Sequence, residues 1–145
     1  MVTPPDRRLF WQLSLAYRRA AVMADAGLSD LGLTAAQAGA LFAIPVEGAA
    51  SVNGMAATLR IGQSAASAFA QKLEKSGLIS RQTDPKDTRS ALLVLTESGR
   101  ELRAKALARA RDFNAQLRAG LSDEQVANIT AWLQQIITMQ EEEET

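Results

Sequence analysis

Two clusters of polar residues in the middle of this chain have the types and spacing to bind rather than to catalyse. Ser64, Ala65, Ser67, Ala68, Gln71 and Lys72 fall together on one side of a 3.6-residue period, a short, polar and mildly basic face. Such a face suits the major groove of DNA. Gln71 can bond adenine, the two serines can bond base edges, and Ala65 and Ala68 can touch a thymine methyl group. Lys72, with Lys75 behind it, suits phosphate. The second cluster is the charged, turn-forming run Asp84-Pro85-Lys86-Asp87-Thr88-Arg89. Catalytic chemistry is narrowed by omission, since the 145 residues include no histidine and no cysteine. A Cys/His zinc centre, a Cys–His nucleophile and a Ser–His–Asp triad are excluded, as are a disulfide framework and a thiol switch. No convergent carboxylate, lysine or serine set replaces them, and no cofactor is implied.

The elements that must position these clusters can be read from periodicity. Ala66, Phe69, Ala70 and Leu73 give the first cluster's helix a buried stripe opposite its polar face. Gly77 follows the last turn and suits a left-handed cap. The period then shortens: residues 78–83 and 90–95 read as two strands of a hairpin whose tip is the charged run. Thr96, with Gly99 close behind, opens the next helix.

Upstream, Thr34 caps a short helix to about Ala43 that carries Ala38, Leu41 and Phe42 inward, and Ile44-Pro45 ends it. Glu47 to Ala50 reads as a loop. Ser51 caps a helix to about Arg60, with Met55, Ala56 and Leu59 inward, and Ile61-Gly62-Gln63 is the turn into the polar-faced helix. Ser51 and Asn53 can offer hydroxyl, amide and backbone N–H groups to phosphate. Gly54 costs its helix about 1 kcal/mol relative to alanine, unless close packing or DNA approach requires it.

Helix, turn, helix and hairpin in this order resemble the winged helix-turn-helix of the MarR family of bacterial transcriptional regulators. The resemblance rests on three blocks: Leu73-Glu74-x-x-Gly77-Leu78-Ile79-x-Arg81, Asp84-x-x-Asp87-x-Arg89, and Leu93-x-Leu95-Thr96-x-x-Gly99-Arg100. It implies a mainly α fold with a small β-hairpin wing and a separate helical dimerisation lobe. It implies that Arg89 enters the minor groove while Asp87 braces the wing, and that Lys86 and Thr88 lie beside them. Thr88 stands where an arginine is common, which removes a charge from the tip. The resemblance also implies an effector pocket between the two lobes for a small aromatic or anionic molecule, with Trp11, Leu15, Tyr17, Arg18, Phe42 and Phe113 as lining candidates.

The flanks fit a dimerisation lobe made of residues 1–33 and 97–145 around a DNA-binding lobe of 34–96. Residues 1–5 read as a lead-in and Asp6 to Ala26 as a helix stopped by Gly27, with Leu28 to Leu33 a connection. Its apolar face is too broad for a single contact: Leu9, Leu13, Ala16, Tyr17, Ala20 and Met23, widened by Phe10, Trp11, Leu15 and Val22. Thr96 to about Ala119 is a long helix carrying Leu102, Ala106, Phe113 and Leu117. Gly120 breaks it. Ser122 and Gln125 form a capping box for a last helix with Val126, Ile129, Trp132, Leu133, Ile136 and Ile137. That helix has little of its own domain left to cover and suits a second copy. Glu141 to Thr145 reads as a solvated tail.

Charge is neutral overall, but residues 51–100 hold seven basic against four acidic side chains, an excess of three. Salt-sensitive DNA binding of ordinary affinity follows. No apolar run approaches membrane-spanning length and the N-terminus lacks a signal-peptide layout, so a cytoplasmic location is expected. The expected protein is a homodimeric, ligand-responsive repressor on double-stranded DNA. The alternative is a winged-helix module that binds protein, favoured by the neutral charge and the alanines on the polar face.

Overall fold

A computed structural model describes residues 8–139. The lead-in, the helix start at Asp6 and the tail Glu141–Thr145 lie outside the described residues. The helices are α1 (Leu9–Leu28), α2 (Ala35–Phe42), α3 (Val52–Leu59), α4 (Gln63–Lys75), α5 (Glu97–Arg118) and α6 (Asp123–Thr138). The strands are β1 (Ala50–Ser51), β2 (Ile79–Thr83) and β3 (Ala91–Leu95). The chain divides into two compact units, Met1–Ala110 and Arg111–Thr145.

In the first unit, the starts of α2, α3 and α5 are each built by a side chain that answers an orphan N–H group. Thr34 Oγ1 accepts from Gln37 N–H and Gln37 Oε1 accepts from Thr34 N–H, so α2 opens on a full capping box. Ser51 Oγ accepts from Gly54 N–H at 2.9 Å to open α3. A Cβ at Gly54 would sit 3.1 Å from that same Oγ, so close packing against its own cap accounts for this glycine. Thr96 works in two directions: its Oγ1 accepts from Gly99 N–H and donates to the carbonyl of Gly77. The start of α5 is thereby tied to the turn that ends α4.

Gly77 has φ +75°, the left-handed conformation expected of it. Gly99 is required for another reason. A Cβ there would collide with the backbone carbonyl of Leu78, so only glycine lets α5 cross the entry to β2.

Three sequence expectations need correction. Gly27 does not stop the first helix; α1 runs through it to Leu28, and a 3-10 turn over Ser29–Leu31 ends at Gly32 with φ +71°. One glycine costs a helix only about 1 kcal/mol, and the bonds on either side carry it. Ala50 is not loop: Ala50 and Ser51 pair with Leu93 and Leu92, adding a third antiparallel strand in the order β1-β3-β2. A two-residue strand has no period to read. Gln63, assigned to the turn, is the first residue of α4.

The core of this unit lies between α2, α3, α4 and the sheet. Leu41, Ile44, Met55, Leu73 and Leu93 are its largest fully buried side chains, with Ala66, Ala70, Ile79 and Leu95 around them. The stripe predicted for α4 is thus inside, with Phe69 half-buried against it. By contrast Leu28 is the one buried residue of α1.

The second unit contains the end of α5, the turn at Gly120 with φ +83°, and α6. The predicted capping box is present: Ser122 Oγ accepts from Gln125 N–H while Gln125 Oε1 accepts from Ser122 N–H. None of the described residues of α6 is buried. Among the described residues, no helix is long and apolar enough to cross a membrane.

Candidate nucleic-acid interface

Burying Ala66, Ala70 and Leu73 turns the opposite side of α4 outward. Ser64, Ala65, Ala68, Gln71 and Lys72 are exposed and Ser67 is half-exposed. Gln63, Ser64, Ser67, Ala68 and Gln71 line one open depression. Gln63 therefore joins the predicted face, and its signal was available, since Gly62 is the last residue able to stand outside the helix as its N-cap. Gly62 has no side chain to cap the first N–H groups, which leaves that end of α4 suited to a phosphate oxygen. Lys72 lies apart from this depression and borders a different cleft.

The supporting helix presents Ser51 and Asn53 differently. Ser51 is half-buried and its hydroxyl is committed to the α3 cap, while Asn53 is exposed on the first turn. Between α3 and α4, Arg60 adopts the left-handed conformation with φ +53°, the one described non-glycine residue to do so. That conformation costs an L-residue roughly 1–2 kcal/mol.

The hairpin is held at both ends. At its base, Ile79 pairs with Leu95 and Thr83 with Ala91 in unbroken antiparallel register. Arg81 on β2 meets Glu74 on α4 at 3.3 Å, so two residues of the first family-like block join the helix to the wing. At its tip, carboxylates organise the turn. Asp84 Oδ1 accepts from Lys86 N–H at 2.8 Å, and Asp87 Oδ1 accepts from Arg89 N–H at 3.0 Å. The same Asp87 oxygen lies 3.4 Å from Arg89 Nε. Arg89 itself is 92% exposed, so a locally braced backbone carries a guanidinium free to reach outward. Thr88 and Lys86 are exposed beside it.

Three arginines of α5 fasten the first unit from behind. Arg100 donates to Val46 O; Arg103 donates to Leu41 O and Phe42 O and lies 5.8 Å above the Phe42 ring. The Leu41 and Phe42 carbonyls end α2, where a cation is favoured. Arg109 donates to Gly27 O and makes a two-pronged pair with Asp30 at 2.7 and 2.8 Å. Those hydrogen bonds first, and the attraction of the charge second, hold the Asp30 carboxyl below its usual range.

Five of the six effector candidates lie in the first unit. Trp11, Leu15, Tyr17 and Arg18 are exposed on α1, and Phe42 is half-buried under Arg103. Phe113 belongs to the second unit, where it is half-buried. Among the described residues no cluster of acidic side chains could hold a metal ion.

A helix-turn-helix with an antiparallel wing on one shared core defines the class: this is a winged helix-turn-helix protein. Residues 31–90 match the MarR family. The fold is similar over nearly the whole chain to several solved structures. The Bordetella bronchiseptica protein BpsR, studied for regulation of DNA binding by 6-hydroxynicotinic acid, is 26% identical with a TM-score of 0.82, covering 90% of this chain and 93% of that one. CouR from Rhodococcus jostii RHA1, solved with p-coumaroyl-CoA, is 29% identical with a TM-score of 0.80, covering 90% and 92%. S. aureus MepR, solved as a DNA complex, is 23% identical with a TM-score of 0.84, covering 92% and 99%. Against the curated proteins, no sequence match is found.

Proposed function

We propose that this protein is a ligand-responsive transcriptional regulator that binds double-stranded DNA as a homodimer in the cytoplasm, and that its action is repression. The observation that carries the reading is one buried core presenting two outward devices: the polar face of α4 and the braced, exposed Arg89 of the wing. BpsR, with DNA binding regulated by 6-hydroxynicotinic acid, CouR, bound to p-coumaroyl-CoA, and MepR, bound to DNA, supply the analogy.

In this reading α4 enters the major groove. Gln71 bonds adenine, Ser64 and Ser67 bond base edges, and Ala65 and Ala68 lie against thymine methyls. Gln63, the α4 N-terminus, Asn53 and Lys72 meet phosphate, as does Ser51 through its backbone. Arg89 enters a narrow, electronegative minor groove, with Asp87 keeping its guanidinium aligned and Lys86 and Thr88 against the backbone. Residues 34–96 form the DNA-binding lobe, and 1–33 with 97–145 the dimerisation lobe. Two lobes related by a two-fold axis address a pseudo-palindrome whose half-sites lie about one helical turn apart. An effector that prefers a dimer with wrongly spaced α4 helices releases DNA, and a few kcal/mol of preference suffices.

The test is fluorescence anisotropy on the DNA immediately upstream of the protein's own gene, against a scrambled duplex, at two salt concentrations. Preferential binding that weakens with salt is expected. Equal, feeble binding to both duplexes, alongside a stable protein partner, would transfer the face of α4 to protein recognition.

A further inference from the structure

The depression on α4 lacks the side chains that most sharply tell one base from another. Arginine or lysine on guanine makes the commonest specific contact, and a carboxylate selects cytosine. Gln63, Ser64, Ser67, Ala68 and Gln71 line the depression, and none of them is charged. Lys72 borders a different cleft. The lining therefore holds no donor-only cation and no acceptor-only carboxylate.

Every polar side chain here works in both directions. A serine hydroxyl donates or accepts, and a glutamine amide holds one group of each kind. Ser64 and Ser67 make no side-chain hydrogen bond among the described residues, so each hydroxyl turns to suit what it meets. Ala65 and Ala68 are exposed beside them, three residues apart and hence neighbours on the helix surface. Their methyl groups make an apolar spot between the two serines. Against a pyrimidine, a serine donates to the O4 of thymine or accepts from the N4 amino group of cytosine. That contact separates neither base from the other. What remains is the 5-methyl group, which thymine carries and cytosine lacks, and which gains by leaving water for an apolar surface.

We propose that, at the pair beneath Ala65 and Ala68, α4 reads the 5-methyl group of a pyrimidine and not its hydrogen-bonding edge. Thymine and 5-methylcytosine are equivalent there, and cytosine and uracil are rejected. Resting on the regulator reading above, this equivalence has a regulatory consequence: 5-methylcytosine completes a half-site that cytosine leaves silent. Gln71, three residues beyond Ala68, addresses another pair, where its two amide groups fit adenine. Arg89 adds charge from the wing that is blind to the methyl group.

The experiment selects duplexes from a randomised pool with the full protein. The selected half-site is then remade with single pairs exchanged, and each duplex is measured by anisotropy. At one thymine position, a uracil–adenine pair should bind about fourfold more weakly in each half-site, the loss expected when one methyl group is no longer buried. A cytosine–guanine pair should be at least as weak, and a 5-methylcytosine–guanine pair should recover the thymine affinity. Replacing both alanines (Ala65→Ser with Ala68→Ser), exposed changes that leave the buried stripe of α4 intact, should bring thymine and uracil to equal affinity. Arg89→Ala should weaken all four pairs alike and keep their order. Equal affinity for thymine and uracil at every position, or 5-methylcytosine no better than cytosine, overturns methyl reading and leaves the regulator standing. A methyl preference that survives the double serine variant overturns the assignment to Ala65 and Ala68. A pool from which no sequence is enriched refutes the regulator reading, and methyl reading with it.

Discussion

The winged region and the terminal helices use apolar residues in opposite ways. From α2 to β3 the large apolar side chains are spent inside: Leu41, Ile44, Met55, Leu73 and Leu93 are fully buried within one small unit. In α1, Phe10 is 83% exposed, and Trp11, Leu15, Tyr17 and Val22 are exposed beside it. In α6, Ile129, Trp132, Leu133 and Ile137 are exposed as well. Apolar patches larger than a few hundred Å² are uncommon on a lone soluble protein. The contrast teaches that the first region is complete as a single chain, while the second is written for another surface. A second copy is the partner we propose.

The sharpest way to break this comparison is to truncate a side chain in each region. Leu41→Ala should cost about 2–5 kcal/mol of unfolding free energy in urea, independent of protein concentration. Ile129→Ala should act mainly through association, so its midpoint should depend on concentration. Equal, concentration-independent losses would place α6 in an ordinary core. Deleting residues 122–145 should remove the partner surface and give monomer or aggregate in sedimentation. A well-behaved dimer after that deletion refutes this account of α6.

Within the complete region, Gly99→Ala should cost about 1–3 kcal/mol by forcing α5 off the Leu78 carbonyl. A neutral thermal shift would show that the contact gives way easily. Arg89→Ala should leave unfolding and dimerisation untouched, because the side chain is almost wholly exposed. It should weaken DNA binding by about 1 kcal/mol or more, as loss of a charged groove contact does. Unchanged affinity in anisotropy would remove the wing from the interface.

The smallest effect concerns the Arg109–Asp30 pair. The Asp30 carboxyl titrates lower in the folded protein than in the unfolded chain. Its contribution is therefore present above the unfolded value near pH 3.9 and lost as pH falls through the folded one. The stability difference between wild type and Asp30→Asn should close in acid. A difference that widens below pH 4 would contradict the pairing.

Much of the winged region was legible in the sequence because its signals are local. Caps at Thr34 and Ser51, the left-handed Gly77, and a change of period from helix to hairpin each depend on neighbours along the chain. The stripe of Ala66, Phe69, Ala70 and Leu73 oriented α4, and so its exposed face, before any coordinate was known. Gly27 misled for the same reason: glycine is a local breaker, but a single one is overruled when the turns on both sides hold.

What only the tertiary structure decided is long-range. The pairing of Ala50 and Ser51 with β3 joins residues about forty positions apart, with no pattern of its own to announce it. Gly99 has meaning only because the Leu78 carbonyl arrives from another element, and Glu74 finds Arg81 only after the chain turns at Gly77. Sequence therefore determined the elements and their faces, through contacts a few residues apart. The close approaches that make Gly99 obligatory and bring Arg81 to Glu74 were set by packing.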